Sequence, residues 1–245
     1  MTRREATIFV ITRSVGNFLV LFSLYGVVAT FGPVIAAEVK YRTAEARGVQ
    51  YAVSLNGDRR TEIGELPEKI SGSDVSIATH SPSFTDILTG EKEQVLTPPD
   101  TSFSVVIPKI GASAKVFPNV DATDEKTFLP LLQQGVAHAK GSVFPGMSGN
   151  IYLFAHSTDN WWHVGQYNAV FYLVKDLSNG DSIIVFFEGR RYDYVVTQKL
   201  VLDATDVSLL TRDHSGSETL VLQTCWPPGT TWKRLYIVAT PKRTL

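Results

Sequence analysis

The sequence predicts an all-β domain, with eight strands enough to close a barrel and one or two short helices, carried behind an N-terminal transmembrane helix. Three observations lead there. Beyond residue 100 the chain falls into short runs rich in Val, Ile, Phe and Tyr, separated at close intervals by Gly, Pro, Asn and Asp, the pattern of an all-β fold. Between residues 14 and 37 no side chain is charged. The whole chain of 245 residues is 44% hydrophobic and 19% charged, which excludes a disordered tail protein. Its 23 basic residues face 24 acidic ones without any long basic run, so nothing favours a nucleic-acid partner, which needs clustered Lys and Arg.

Residues 1–13 read as a cytoplasmic tail, because Arg3, Arg4 and Arg13 outnumber Glu5 and positive charge stays inside. Residues 14–37 supply roughly the twenty apolar positions that cross about 30 Å of hydrocarbon. A single-pass membrane protein with its remainder outside the cell follows. A cleavable signal peptide is the rival reading, with Ala36 and Ala37 as a small-residue site, but the uncharged stretch exceeds the usual h-region. The outer part carries 20 basic and 23 acidic residues, which gives no reason to expect adhesion to anionic lipid.

Residues 38–100 are polar and broken by Gly57, Gly64, Pro67, Gly72, Pro82 and Gly90. They read as an extracellular stalk or extension with short elements at most, closed by the consecutive Pro98 and Pro99, which deny the chain both helix and ladder hydrogen bonds. No repeat or low-complexity tract stands out. The catalytic-size domain is 101–245, with strands expected over 102–107, 110–117, 135–140, 150–155, 181–188, 190–202, 219–224 and 234–239. Turns are expected at 178–181 and 188–190. One helix should begin near Ala122, carrying Phe128, Leu129, Leu131 and Leu132, and another near Thr205, with Val207, Leu209 and Leu210 inward.

Cys225 is the only cysteine, so no disulfide braces the fold. It ends an apolar strand, and Pro227 and Pro228 force the chain out of the sheet just beyond it. The next strand begins at Arg234 and returns beside the first. Alternation puts Arg234, Tyr236 and Val238 on one face and Leu235, Ile237 and Ala239 on the other. His156 closes the apolar run 150–155 before a polar loop. Each has a plain structural alternative: a packed thiol, a surface-paired arginine, a loop histidine. The other histidines, at 80, 138, 163 and 214, read as surface or packing residues. Together, a Cys, a His and an Arg at three strand ends are the parts of thiol acyl transfer. The thiolate attacks, an imidazolium protonates the leaving amine, and a guanidinium neutralises the oxyanion.

The strings VIPKIGASAKV (106–116), PGMSGNIYLFAHS (145–157), LQTC (222–225) and KRLYIVA (233–239) resemble those of sortases, in the order His, Cys, Arg, across the outer β region. That resemblance implies a closed eight-stranded β-barrel that cleaves an LPXTG-like C-terminal sorting signal between Thr and Gly. It implies a thioester at Cys225, then transfer to an amine of a cell-wall precursor or a pilin lysine. By motif, Cys225 is the nucleophile, His156 the general acid/base and Arg234 the oxyanion partner. Thr224 helps hold the signal. Trp226, Trp161 and Trp162 either wall the substrate groove or cap the barrel's open end. Val221 stands where many sortases have Thr, and Lys233 adjoins Arg234. No Asp-Pro-aromatic lid signature occurs in 38–100, which favours a housekeeping or single-protein anchoring role. No cofactor or metal site is expected; calcium, used by some sortases, would have to draw on Asp121, Asp124, Glu125 and Asp176. Rival functions are a cysteine hydrolase, a peptidoglycan L,D-transpeptidase, whose Ser-any-Gly-Cys pattern is missing around Cys225, and a non-catalytic surface β-domain.

Overall fold

A helix of 45 residues, α1 (Arg3–Arg47), opens the chain. The Thr2 hydroxyl accepts from the Glu5 amide while the Glu5 carboxylate accepts from the Thr2 amide, a capping box that also sets an acid at the positive end of the helix dipole. Gly48, at φ 68°, ends the helix by turning its N–H back to the carbonyls of Ala44 and Glu45, a left-handed cap that suits glycine. The stretch Arg3–Ala29 is long and apolar enough to cross a membrane. The computed structural model describes residues 2–54, 93–157, 170–211 and 216–242.

Residues 38–47, expected to begin a stalk, instead continue α1 and dock on the domain that follows. Tyr41 and Ala44 are buried there. Glu38 pairs with Lys175 at 2.9 Å and Arg42 with Asp176 at 3.1 Å. Two short strands, β1 (Gln50–Val53) and β2 (Glu93–Leu96), then pair in parallel. They lay Tyr51, Val53 and Leu96 over Val106, Ile184 and Phe186. The described ends of the expected stalk are therefore packed structure.

The eight expected strands are all present: β3 (Phe103–Ile107), β4 (Ala112–Val120), β5 (Val136–Ala139), β6 (Gly149–Phe154), β7 (Ser182–Phe187), β8 (Arg190–Asp203), β9 (Glu218–Trp226) and β10 (Lys233–Pro241). They close a barrel in the order β10, β8, β7, β3, β4, β5, β6, β9. Closure leaves the barrel itself without a free edge. Two junctions are parallel, β4 with β5 and β6 with β9; the rest are antiparallel. Alternation along β9 and β10 sends Leu220, Leu222, Leu235 and Ile237 into the barrel, where they meet Val105, Ile151 and Val185. The β3 run is buried throughout because the β1–β2 pair covers its outer face, which is why its sequence shows no alternation.

A parallel pair needs a crossover, and α2 (Glu125–Leu132) supplies the one between β4 and β5. Asp124 caps it, its carboxylate accepting from the Lys126 amide and the Thr127 hydroxyl. α2 begins three residues later than expected and buries Leu132, with Phe128 and Leu131 packed on the barrel's outer side, while Leu129 stays exposed. The second expected helix is the single turn α3 (Ser208–Thr211). Leu209 packs inward, but Val207, expected inward, is 54% exposed. The β7–β8 hairpin turns on Glu188 at φ 49° and Gly189 at φ 75°, the paired positive φ of a type I′ turn.

His138 is fully buried on β5. Its ring stacks on Phe144 with centroids 4.5 Å apart. Nδ1 accepts from the Asn119 amide, which leaves Nε2–H to donate to the Val143 carbonyl at 3.0 Å. Burial holds its pKa below the usual imidazole value, since a second ring proton would also collide with the Asn119 N–H. The unfolded chain therefore binds a proton that the folded chain refuses. Its contribution is complete above about pH 6.5 and is lost as pH falls towards the lowered folded value, with a slope of at most about 1.4 kcal/mol per pH unit. Urea midpoints measured from pH 7.5 to pH 5 should fall, and less steeply in His138→Gln; equal slopes in the two proteins would remove His138 as the cause. Gly135 supplies a second test. A Cβ there would lie 2.4 Å from the Lys115 carbonyl oxygen, so Gly135→Ala should lower stability by about 1–3 kcal/mol in the same denaturation assay.

Candidate active site

Three adjacent strands carry the candidate residues. In the parallel pair of β6 and β9, Phe154 stands opposite Gln223, and the Ala155 amide extends the ladder to the Gln223 carbonyl at 3.2 Å. Continuing that register by two residues sets His156 beside Cys225. On the other side of β9, antiparallel β10 places Arg234 directly opposite Cys225 and Lys233 opposite Trp226. His156, Cys225 and Arg234 thus occupy one row across three strands. Residues directly opposite in a sheet have Cβ atoms about 5 Å apart.

The row lies on the barrel's outer face, because Leu222 and Leu235, each one step out of phase, point into the core. Cys225 is half-buried and sits within β9, which runs on through Trp226. The Arg234 guanidinium is oriented by its own loop, Nη1 donating to the carbonyls of Thr231 at 3.0 Å and Lys233 at 3.2 Å.

A family model described as the Sortase domain matches residues 105–242. The chain belongs to the sortase family. It is 29% identical over 137 residues to sortase D of Bacillus subtilis, covering 56% of this chain and 57% of that one. It is 24% identical over 230 residues to sortase A of Listeria monocytogenes, covering 92% and 90%. The chain therefore spans less than two thirds of the first relative's length. Among solved structures, sortase C-1 of Actinomyces oris matches at 26% identity with a TM-score of 0.48, covering 58% of this chain and 73% of that one. The family match over 105–242 makes the closed eight-stranded barrel a sortase fold.

The remaining expected site residues fall in different places. In this sortase barrel Thr224 is buried, its hydroxyl donating to the Ala155 carbonyl at 3.0 Å. It faces away from the Cys225 row and ties together the strand ends that bear His156 and Cys225. Trp226 also lies on the opposite side of β9 from Cys225 and packs against the interior cluster, the position of a barrel cap. Trp161 and Trp162 lie outside the described residues, as do His80, His163 and His214. The four carboxylates considered for calcium do not converge. Asp121 pairs with Lys140, Asp124 caps α2, Glu125 opens that helix, and Asp176 is held by Arg42 and Lys175. Among the described residues no three potential metal ligands meet, so these side chains do not fit a calcium site.

Sequence reasoning missed two features of this face. Trp232, in the loop between β9 and β10, is 76% exposed two residues before Arg234. Tyr152, Gln223 and Tyr236 form a polar group in the rows next to the triad: the Tyr152 hydroxyl donates to Gln223 Oε1, and the Tyr236 hydroxyl donates to the Asp206 carbonyl at 3.2 Å. The alternation that put Tyr236 on the Arg234 face applies equally to β9 and could have flagged Gln223 as site-facing. A cavity of about 1150 Å³ lies elsewhere, between α1 and the barrel, lined by Tyr41, Tyr51, Ile110 and Leu173.

Burial pushes the Cys225 thiol up, and the Arg234 charge pulls it down by less. The resting side chain is a thiol, and reaction at its sulfur requires that the proton be removed first. Iodoacetamide alkylation of Cys225 should show a midpoint above the roughly 8.5 of a free cysteine, and Arg234→Ala should move that midpoint higher still. A midpoint below 8.5, or one that ignores the arginine, would contradict this balance.

Proposed function

We propose that this sortase is a membrane-anchored cysteine transpeptidase that cleaves an LPXTG-like C-terminal sorting signal and passes the acyl group to an amine. The row His156–Cys225–Arg234 carries the reading. The Cys225 thiolate adds to the threonine carbonyl carbon, and the oxyanion so formed is met by the Arg234 guanidinium. The Thr–Gly C–N bond breaks as His156 protonates the departing glycine nitrogen, leaving a thioester on Cys225. An amine then attacks that thioester. His156 accepts the proton it sheds, the C–S bond breaks, and a new amide bond forms as the thiol is restored.

The amine comes from a cell-wall precursor or a pilin subunit, and the substrates are surface proteins bearing the sorting signal. Arg3, Arg4 and Arg13 hold the N-terminus in the cytoplasm, so the barrel works outside the cell from a single span.

Mass spectrometry of the full chain in detergent, incubated with an LPXTG peptide and triglycine, tests this. A ligated product is expected. It should vanish in Cys225→Ala and His156→Ala and form at least about 10²-fold more slowly in Arg234→Ala. Arg234→Lys should not restore full rate, because an ammonium lacks the planar fork of donors. Hydrolysis that ignores the amine would indicate a protease instead. A folded protein whose thiol resists alkylation and yields no product would support the non-catalytic reading.

A further inference from the structure

The rows next to the triad are built for more than packing. Two residues before Cys225, on the same outer face and about 7 Å along β9, stands Gln223, flanked in register by Phe154 and Tyr236. Both neighbours are buried, and Val221, the next outward residue on β9, is fully buried with Tyr152 and Tyr236. Gln223 itself is half-buried. It is the last side chain of β9 open to the Cys225 side before the aromatic cover begins.

Its orientation is set from below. The Tyr152 hydroxyl donates to Oε1, which turns Nε2 away from that contact. Burial raises the Tyr152 pKa far above the usual phenol value, so the hydroxyl keeps its proton and stays a donor. Tyr236 cannot replace Tyr152 in that task, since its own hydroxyl proton goes to the Asp206 carbonyl. Among the described residues nothing accepts from Gln223 Nε2. A carboxamide has two N–H donors, and a donor held at the edge of an aromatic wall beside a nucleophile suits a peptide carbonyl.

We infer that Gln223, positioned by Tyr152, hydrogen-bonds a backbone carbonyl of the peptide whose acyl group is transferred to Cys225, and so sets how tightly and in which register that peptide lies on the site. This rests on the transpeptidase reading above. It makes Gln223 a substrate-binding residue and Tyr152 a positioning residue that acts through it.

The test compares the full chain in detergent with its Gln223→Met and Tyr152→Phe variants on a sorting-signal peptide. Methionine keeps the length and loses the donor. KM should rise about tenfold in Gln223→Met, the worth of one neutral hydrogen bond, and severalfold in Tyr152→Phe, with kcat and the rate of Cys225 alkylation within about twofold of the parent. A set of peptides with single amide-to-ester replacements, sparing the scissile bond, locates the contact, because an ester carbonyl is a weaker acceptor. One replacement should raise KM in the parent protein and have no further effect in Gln223→Met. If KM is unchanged in both variants, or no replacement couples to Gln223, the inference is overturned while the transpeptidase reading stands. If the parent protein turns over no sorting peptide, the transpeptidase reading fails and this inference falls with it. A variant that loses alkylation and melts early shows a purely structural role and also overturns it, and Tyr152→Phe, which removes only one oxygen, guards against mistaking misfolding for that outcome.

Discussion

The parallel pairing of β6 with β9 is the constraint on which the rest depends. Those strands are far apart in sequence, and no short hairpin can set their register. It is held by the ladder itself, by the Ala155 amide on the Gln223 carbonyl, and by the Thr224 hydroxyl on the Ala155 carbonyl. A slip of one residue would send His156 to the opposite face from Cys225. The antiparallel partner β10 has no such freedom, since a short loop returns it beside β9 and leaves Arg234 opposite Cys225. The interior of the barrel therefore serves the outer face: Leu220, Leu222, Leu235 and Ile237 fix the phase of alternation that brings the three polar residues to one side.

That same burial shapes the chemistry. A thiol half-covered by apolar neighbours is reluctant to ionise, and one guanidinium opposite it offsets only part of the effect. The charge needed for attack is thus created at the moment of reaction. A site of this kind keeps its cysteine largely in the less reactive thiol form, which, with the barrel outside the cell as proposed, suits a lone thiol in oxidising surroundings.

Much of this was legible in the chain. Alternation and turn residues located all eight strands, and the pairing of Cys225 with Arg234 followed from the shortness of the loop between them. What escaped had physical causes. The extension of α1 through residues 38–47 looked polar because Glu38 and Arg42 find their partners on a distant turn, at Lys175 and Asp176. The β1–β2 pair joins segments some forty residues apart, and no local pattern announces such a contact. Val207 looked like a core residue on periodicity, but α3 is a single turn that starts only after it and leaves it exposed while Leu209 is buried. The contact between Tyr152 and Gln223 has no local signature, since it forms only when β6 lies against β9.

The docking of α1 bears on where the proposed activity can take place. With Arg3–Ala29 in the bilayer, the same unbroken helix runs on to Arg47, about 27 Å further, and is bolted to the barrel by Glu38, Tyr41 and Arg42. On the proposed single-span anchoring, the domain would not swing on a leash but would sweep a plane at constant altitude above the membrane, in a two-dimensional search. The effective concentration of any membrane-tethered reactant at that altitude depends on the span of the reactant's own tether. Helix α1 would then be a gauge, and under the proposed function substrates would compete for the site by reach as well as by the letters of their signal.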